Sequence, residues 1–182
     1  MAPIAYSPTT AQNLSGRVVI VTGGAQGIGA ATATLLHSLG AHVVFGDIGD
    51  TPGTALESSL SALKATNPSF GTAHFHHTDV TSYTDQLVLF EIALTLHGRV
   101  DAAITCAAQM DGPSWFAGVT LDAVRTESSA ISKAVSTNLV APMMLTRLAL
   151  AFIGASPPFP GSCSDFVPSV TYASSLSGLT PT

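Results

Sequence analysis

Charged side chains are scarce in this sequence. Only 9% of its 182 residues are charged, and the six basic residues are outnumbered by eleven acidic ones. The basic residues are scattered singly and none follows Arg147, so no cluster is available to neutralise a phosphate backbone. We therefore predict that nucleic acid is not a partner. With 46% hydrophobic residues, much of the chain is expected to lie in a core or an interface.

Cysteines are nearly absent as well. Cys106 and Cys163 are the only two and form no CxxC motif, which argues against a disulfide framework and a zinc site. The first 16 residues lack the basic and apolar regions of a secretory signal. The most apolar longer stretch, residues 139–153, is interrupted by Pro142 and Arg147 and is short for a bilayer span. These features predict a cytoplasmic protein without a membrane partner.

Histidines raise the question of a metal site. His74 and His76, beside His77, should project to the same side of a predicted strand, where two imidazoles can share a metal. No third ligand is evident in the sequence. We therefore predict no metal and expect these histidines to lie at a sheet edge, with a shared metal as the less favoured alternative.

Short β-branched runs alternate with helical segments along the chain. Strands are predicted over residues 17–22, 42–46, 72–77, 100–107 and 169–173. Two helices are predicted first, from near Gly27 to Gly40 and from a Thr51 cap, with Pro52 at the first helical position, to about residue 65. Two more are predicted, one capped by Thr81 or Ser82 and ending at His97, and one over residues 132–153 with a kink at Pro142. This alternation predicts an α/β fold, a Rossmann-like doubly wound parallel sheet of about five strands. Residues 1–13 are expected to be a flexible tail and residues 14–182 one domain.

A glycine-rich turn follows the first predicted strand. Gly23, Gly27 and Gly29 stand where backbone without side chains can approach a pyrophosphate at a helix N-terminus. Asp47 ends the second strand, eighteen residues after Gly29, where a carboxylate can accept hydrogen bonds from ribose hydroxyls and repel a 2′-phosphate. The pattern favours NAD, with NADP as the alternative. The competing interpretation is that Asp47 only caps a loop.

The run from Thr22 to Gly29, Thr-Gly-x-x-x-Gly-x-Gly, resembles the glycine motif of the short-chain dehydrogenase/reductase family. The resemblance continues through Asp79-Val80, which in that family lies against the adenine, and through the predicted fourth strand. It implies that the following residues bind the cofactor: Thr22, Gly23, Gln26, Gly27, Ile28, Gly29, Asp47, Ile48, Asp79, Val80, Cys106 and Ala107. The family's Asn-Asn-Ala-Gly is replaced here by Thr105-Cys-Ala-Ala108. We expect Cys106 to be buried as a small hydrophobic residue rather than to act as a redox thiol.

The same resemblance implies two residues of the catalytic centre. Asn138 matches the family's helix asparagine, whose backbone carbonyl anchors a water of the proton relay; the alternative is a polar residue with only a local role. Ser175 matches the serine that hydrogen-bonds the substrate carbonyl, and the adjacent Ser174 is the alternative. The competing interpretation is that the two serines only form a turn.

The family's tyrosine and lysine have no counterpart in the 182 residues. No Tyr-x-x-x-Lys motif is present, and a positioned general acid is worth about 10² to 10⁴ in rate. We therefore expect a C-terminally truncated family member with impaired turnover. Three hypotheses stay open: an oxidoreductase moving a hydride between nicotinamide and a small alcohol or ketone, a non-catalytic dinucleotide-binding protein, and a remnant without function. Family members commonly pair through the long helix around Asn138, so a homo-oligomer is also expected.

Overall fold

The computed structural model describes residues 14–109, 120–126, 133–159 and 168–173. The strands are β1 (Val18–Thr22), β2 (His42–Asp47), β3 (Ala73–His77), β4 (Ala102–Thr105) and β5 (Ser169–Tyr172). The helices are α1 (Gly27–Ser38), α2 (Asp50–Thr66), α3 (Tyr83–His97), the short α4 (Leu121–Thr126) and α5 (Ala141–Ala155), which follows a π-helical segment at Ser136–Val140.

The five strands form one parallel sheet in the order β3-β2-β1-β4-β5. The chain runs outward from β1 to β3 and then crosses back to β4 on the other side of β1. The carboxyl ends of β1 and β4 therefore mark the point where the strand order reverses, which is where open α/β sheets bind ligands. The prediction of a Rossmann-like, doubly wound parallel sheet is confirmed.

The core consists of two layers, one on each face of this sheet. Alternate residues of β1 point to opposite faces, so Val18 and Ile20 pack against α3 and α5, whereas Val19 and Val21 pack on the α1 side. All four side chains are at most 2% exposed. Because β1 is buried on both faces, its sequence is an unbroken run of β-branched residues.

The long helix, for which a kink at Pro142 was predicted, contains a π-helical segment directly before that proline. The segment Ser136–Val140 is π-helical, with the Ala141 N–H bonded to the Ser136 carbonyl five residues earlier, and Pro142 lies in the first turn of α5. Proline has no N–H, and its ring clashes with the carbonyl four residues before it in a continuous α-helix. The wider π turn accommodates this clash without breaking the helix.

The same helix is longer than the apolar stretch considered from sequence. Among the described residues, Lys133–Ala155 is the one helical segment long and apolar enough to cross a membrane by length and composition, with a mean hydropathy of 1.5. A helix of a soluble protein can pass the same test. Here the segment packs on α3 and β4, and Leu145, Leu148 and Ala149 are buried in the core.

Two predicted boundaries differ from the structure. Helix α2 begins at Asp50 with Gly49 at the cap position, so Thr51 is not the cap and Pro52 lies within the first turn. The acidic Asp50 at this end is favourable because it faces the positive pole of the helix dipole. Strand β4 covers Ala102–Thr105 rather than residues 100–107, because pairing with β1 begins only at Val19 and ends at Thr22.

Buried charges join β1 to β4 at the amino edge of the sheet. The Asp101 carboxylate accepts hydrogen bonds from the Arg17 Nη1 at 3.1 Å, from the Val18 N–H at 2.9 Å and from two nitrogens of Arg99 at 2.6 and 2.8 Å. Burial tends to raise the pKa of Asp101, but the bonds from Arg99, Val18 and Arg17 outweigh it and lower that pKa. Both guanidinium groups lie over the Phe159 ring, at 3.8 and 4.7 Å from its centre. The charges are therefore paired and capped by an aromatic face.

Three shielded histidines lie along the same amino edge. The rings of His42 on β2 and His97 on α3 are stacked with centres 4.3 Å apart, and the Thr72 backbone N–H donates to His42 Nδ1. Burial, together with nearby His42 and His74, lowers the pKa of His97 to about 4. Burial and the Lys64 ammonium also lower the pKa values of His37 and His42.

These histidines predict that the fold loses stability in acid. A histidine whose folded-state pKa is depressed stabilises the fold fully above its unfolded pKa of about 6.5, and this contribution falls as the pH drops towards the folded value. Allowing for partial solvent screening, we expect His97 to lower the unfolding free energy by on the order of 1 kcal/mol between pH 7 and pH 5. Urea unfolding at the two pH values measures this. His97→Phe, which keeps a stacked ring without a titrating group, should reduce the pH dependence; an unchanged dependence would contradict the assignment.

Candidate functional site

A cleft of about 1060 Å³ opens at the carboxyl edge of the sheet, over β1 and β4. Its walls come from the β1–α1 turn, the ends of β2, β3 and β4, and the long helix. Because the three loops that follow β1, β2 and β4 converge here, residues far apart in sequence share one surface. The position is the strand-order reversal described above.

The glycine turn is held by direct backbone contact. A Cβ added to Gly23 would lie 2.4 Å from the Ala107 nitrogen, and one added to Gly29 would lie 1.9 Å from the Gly23 carbonyl oxygen. Gly23 also has a φ of 69°, in the left-handed region that favours glycine. The turn can therefore close against β4 and α1 only because these positions lack side chains.

Gly27 has a different environment from the other two glycines. Its φ is 55°, and a Cβ added there would meet no atom within 4 Å, so the space beside it belongs to the open cleft. This is the first residue of α1. A bound group can thus approach the backbone at this end of the helix without contacting a side chain.

The N-terminus of α1 is uncapped and points into the cleft. Gln26, at the cap position, makes no side-chain cap bond in the described part of the chain, and the first turn contains no acidic residue. The first N–H groups of a helix have no intrahelical acceptor, and the helix dipole adds partial positive charge at this end. Gly27, Ile28 and Gly29 therefore present backbone donors suited to an anion such as a phosphate.

Asp47 connects the glycine turn to the start of α2. Its Oδ2 accepts from the Ala25 N–H at 3.0 Å and its Oδ1 accepts from the Gly49 N–H at 3.1 Å. The residue is largely buried but still lines the cleft. Each carboxylate oxygen has a second lone pair, so the group can accept further hydrogen bonds from a ligand. Asp47 thus braces the loop, as the competing interpretation held, and also faces the cleft.

Apolar side chains flank this acid. Ile28 and Ile48 are 67% and 69% exposed, although both line the concave surface of the cleft. Val80 lies on the same wall, after β3. Side chains of this kind gain stability when a flat apolar group covers them.

The Asp79 carboxylate is directed to its own turn. Its Oδ1 accepts from the Thr81 N–H at 2.8 Å and from the Thr81 hydroxyl at 2.7 Å. The Asp79 N–H donates to Asp85 Oδ2 on α3, at 3.0 Å. Ser82 caps α3 by accepting from the Asp85 N–H, as one of the two predicted alternatives held. These bonds fix the turn that carries Val80 into the cleft wall.

Cys106 corrects an expectation. We predicted a buried hydrophobic residue, and the side chain does pack against the core, but it is only partly buried because it follows the last residue of β4 and lines the cleft. Burial raises the pKa of the Cys106 thiol, which a hydrogen bond involving Thr32 only partly offsets. The neutral thiol is a poor nucleophile. The Cys106 N–H bonds to the Thr22 carbonyl at 2.8 Å, and Thr22 itself is buried beneath the cleft rather than among its lining residues.

Asn138 lies in the π-helical segment and bonds to the loop after β4. Its Nδ2 donates to the Gln109 carbonyl and its Oδ1 accepts from the Gln109 N–H, both at 2.8 Å. This paired bond fixes the loop to the helix. Pro142, four residues later, has no N–H to give to the Asn138 carbonyl, so an α-helical bond from that position is impossible.

These positions match a known family along most of the chain. The sequence profile of the short chain dehydrogenases matches residues 17–156, which include β1 to β4 and the long helix. The chain belongs to the short-chain dehydrogenase/reductase family. Members of this family generally bind NAD or NADP.

Two plant proteins are among the relatives that this chain resembles in sequence. The chain is 36% identical over 128 residues to tropinone reductase-like 1 of Erythroxylum coca, covering 70% of this chain and 42% of that protein. It is 33% identical over 134 residues to (+)-borneol dehydrogenase 1 of Salvia officinalis, covering 74% of this chain and 46% of that protein. The chain therefore spans less than half the length of these relatives.

Solved structures of the family show the same fold. A short-chain dehydrogenase/reductase from Burkholderia xenovorans aligns with a TM-score of 0.68 and 26% identity, covering 90% of this chain and 61% of that structure. One from Mycobacterium ulcerans aligns with a TM-score of 0.64 and 25% identity, covering 76% of this chain and 47% of that structure. The parallel sheet with its flanking helices belongs to this shared architecture.

Most of the predicted cofactor residues meet in one place. The following line the cleft: Gly23, Gln26, Gly27, Ile28, Gly29, Asp47, Ile48, Asp79, Val80, Cys106 and Ala107. Ser175 and its alternative Ser174 lie outside the described residues. Within the described part of the chain, no three His, Cys, Asp or Glu side chains are grouped as a metal site; His74 pairs with Glu57 and His77 with Asp50.

Other lining residues were not predicted from sequence. They are Thr78, Thr81, Ala108, Gln109, Lys133, Ser136, Thr137, Val140 and Met144. Thr78, Thr81 and Ala108 directly neighbour predicted positions and could have been included on that basis. Ser136, Thr137 and Val140 lie beside Asn138, and only the π turn shows which of them face the cleft.

The two kinds of glycine should respond differently to alanine substitution. Gly29→Ala forces a methyl group onto the Gly23 carbonyl, so we expect the unfolding free energy to fall by about 3 kcal/mol or more. Gly27→Ala adds a methyl group in open space and only strains φ, at about 1 kcal/mol. Urea unfolding of the two variants beside the unsubstituted chain measures the difference. Equal losses would show that the backbone contact at Gly29 does not constrain the turn.

Proposed function

We propose that this chain binds NAD(P) and forms the dinucleotide-binding part of an oxidoreductase that moves a hydride between nicotinamide and a small-molecule alcohol or ketone. The proposal rests on one observation. The uncapped N-terminus of α1 and the carboxylate of Asp47 face one cleft at the reversal of strand order. A dinucleotide has phosphate and ribose groups that fit these two features.

The residues present suit the parts of that cofactor. Backbone N–H groups from Gly27 to Gly29 would hold the pyrophosphate, and Asp47 would accept hydrogen bonds from the adenosine ribose. Ile28, Ile48 and Val80 offer apolar surface to the adenine. When bound, the nicotinamide supplies the hydride chemistry at its C4 atom.

The charges around Asp47 favour NAD over NADP. The carboxylate would repel a 2′-phosphate, whereas it can bond to a 2′-hydroxyl. Among the described residues that line the cleft, Lys133 is the one Lys or Arg, and it belongs to the long helix rather than to the loops around Asp47. NADP remains the alternative cofactor.

Turnover by this chain is a separate question from binding. The family's serine corresponds to Ser175 and its helix asparagine to Asn138, but the 182 residues contain no Tyr-x-x-x-Lys. The second candidate function is a dinucleotide-binding protein without turnover, which would use the same cleft and Asp47. In a relative with the full catalytic set, the serine that corresponds to Ser175 would polarise the substrate oxygen, and the tyrosine would exchange the proton.

Removing the Asp47 carboxylate should weaken NAD binding. We expect Asp47→Ala to raise the Kd for NAD about tenfold or more, because a hydrogen bond to a charged group is lost. The ratio of the Kd for NADP to the Kd for NAD should fall as well. Titration calorimetry with both nucleotides measures this. Asp50→Ala, three residues later and outside the cleft lining, is the matched control and should leave both Kd values unchanged.

The outcomes separate the hypotheses. If the unsubstituted chain binds neither NAD nor NADP, the proposed function fails and a remnant without function is left. If it binds a nucleotide but converts no member of an alcohol and ketone panel, the non-catalytic binder is supported. Binding with measurable turnover would support the oxidoreductase.

We also propose that two copies pair through the long helix. Leu139, Met143 and Leu150 are 57%, 64% and 68% exposed along it, and apolar surface of this kind is stabilised when a partner covers it. We also propose a cytoplasmic location, since Leu145, Leu148 and Ala149 of this helix are buried in the protein's own core.

Oligomerisation gives a direct test of this pairing. Met143→Glu should shift the chain from dimer to monomer in sedimentation equilibrium, because the interface would bury a charge. Leu63→Glu, on an exposed position of α2, is the control and should leave the association state unchanged. A monomer before substitution would exclude the proposed pairing.

A further inference from the structure

Gln86 is a polar residue in the core beside the cleft. It lies in the first turns of α3 and is only 1% exposed, so its carboxamide is removed from water. It does not line the cleft itself. Buried amides need hydrogen-bond partners, and the partners of this one connect two walls of the cleft.

The amide nitrogen bonds to two carbonyls from separate parts of the fold. Gln86 Nε2 donates to the Val80 carbonyl at 2.5 Å and to the Ala141 carbonyl at 3.1 Å. Val80 belongs to the turn after β3, which forms part of the cleft wall. Ala141 is the first residue of α5, directly after the π-helical segment whose Ser136, Thr137 and Val140 also line the cleft.

The carboxamide suits this bridge because it has two N–H donors. A glutamate of the same length has none when ionised, and a methionine has the volume without the donors. Gln86 Oε1 has no hydrogen-bond partner in the part of the chain that the structure describes. An apolar side chain would avoid that cost, so packing alone does not account for an amide here.

We propose that Gln86 is a positioning residue for the nucleotide cleft, fixing the Val80 wall to the helix segment that carries Asn138. The inference rests on the proposed function, since it assigns a role in dinucleotide binding. Asp85, the preceding residue, accepts a hydrogen bond from the Asp79 N–H, so the start of α3 contacts the 79–81 turn at two neighbouring residues, Asp79 and Val80. Without the bridge, Val80 and the π-helical segment lose their common support.

The effect should be largest at the adenosine half of the ligand. Gln86 bonds directly to the Val80 carbonyl and Val80 lines the cleft, whereas the N–H groups of α1 do not depend on Gln86. Losing the bridge should therefore weaken binding of AMP and NAD more than binding of nicotinamide mononucleotide. A general loss of stability would not separate these ligands.

The experiment compares Gln86→Met with the unsubstituted chain. We expect the Kd values for NAD and AMP to rise about tenfold, and the Kd for nicotinamide mononucleotide to stay within about twofold, by calorimetry well below the unfolding temperature. Leu89→Ala is the control, because Leu89 is a fully buried residue on the same helix and is not among the residues that line the cleft. It should lower the unfolding temperature without changing any Kd.

Each outcome bears on a different claim. If the unsubstituted chain binds no nucleotide, the proposed function fails. If it binds NAD but Gln86→Met binds equally well, or Leu89→Ala weakens AMP binding as much, the positioning role is overturned. Should Gln86→Met not fold, the side-chain amide of Gln86 in a nitrogen-15 NMR spectrum of the unsubstituted chain should shift with AMP and not with nicotinamide mononucleotide. The absence of an AMP shift would overturn the role as well.

Discussion

The close contact between the glycine turn and the end of β4 is the constraint on which this structure depends. Gly23 touches the backbone at Ala107, and Gly29 touches Gly23, so β1, β4 and α1 meet without intervening side chains. This contact brings the amino end of α1 to the reversal of strand order, with Asp47 bonded to the same loop. A wider turn would separate the N-terminus of α1 from the Asp47 carboxylate. The cleft would then no longer hold the positive helix end and the negative carboxylate side by side.

The rest of the fold divides the molecule into two edges with different chemistry. The carboxyl edge is open and carries free backbone donors. The amino edge is closed by Asp101 between Arg17 and Arg99 and by the stacked rings of His42 and His97. Because these contacts join β1 to β4 and β2 to α3 far from the cleft, substitutions at the cleft can change binding while the opposite edge keeps these elements in place.

Much of this could be predicted from sequence because the determining signals are local. The β-branched run of β1 and the spacing of Gly23, Gly27 and Gly29 specify a buried strand and a tight turn within a dozen residues. The exposure of Cys106 and the two bonds of Gln86 could not be predicted, because each depends on segments distant in sequence. The π turn at Ser136–Val140 has a local cause in Pro142, but a proline alone does not distinguish a π turn from other helix distortions. Asn138 was identified by resemblance, but its pairing with Gln109 was visible only in three dimensions.

The partly exposed thiol of Cys106 has a practical consequence. It lies on the cleft floor, and burial keeps it protonated, so its alkylation by a small reagent is slow and depends on access through the cleft. A molecule that fills the cleft would block that access. The rate of thiol labelling at Cys106, followed separately from that of Cys163, is thus a measure of occupancy that needs no knowledge of which ligand is bound.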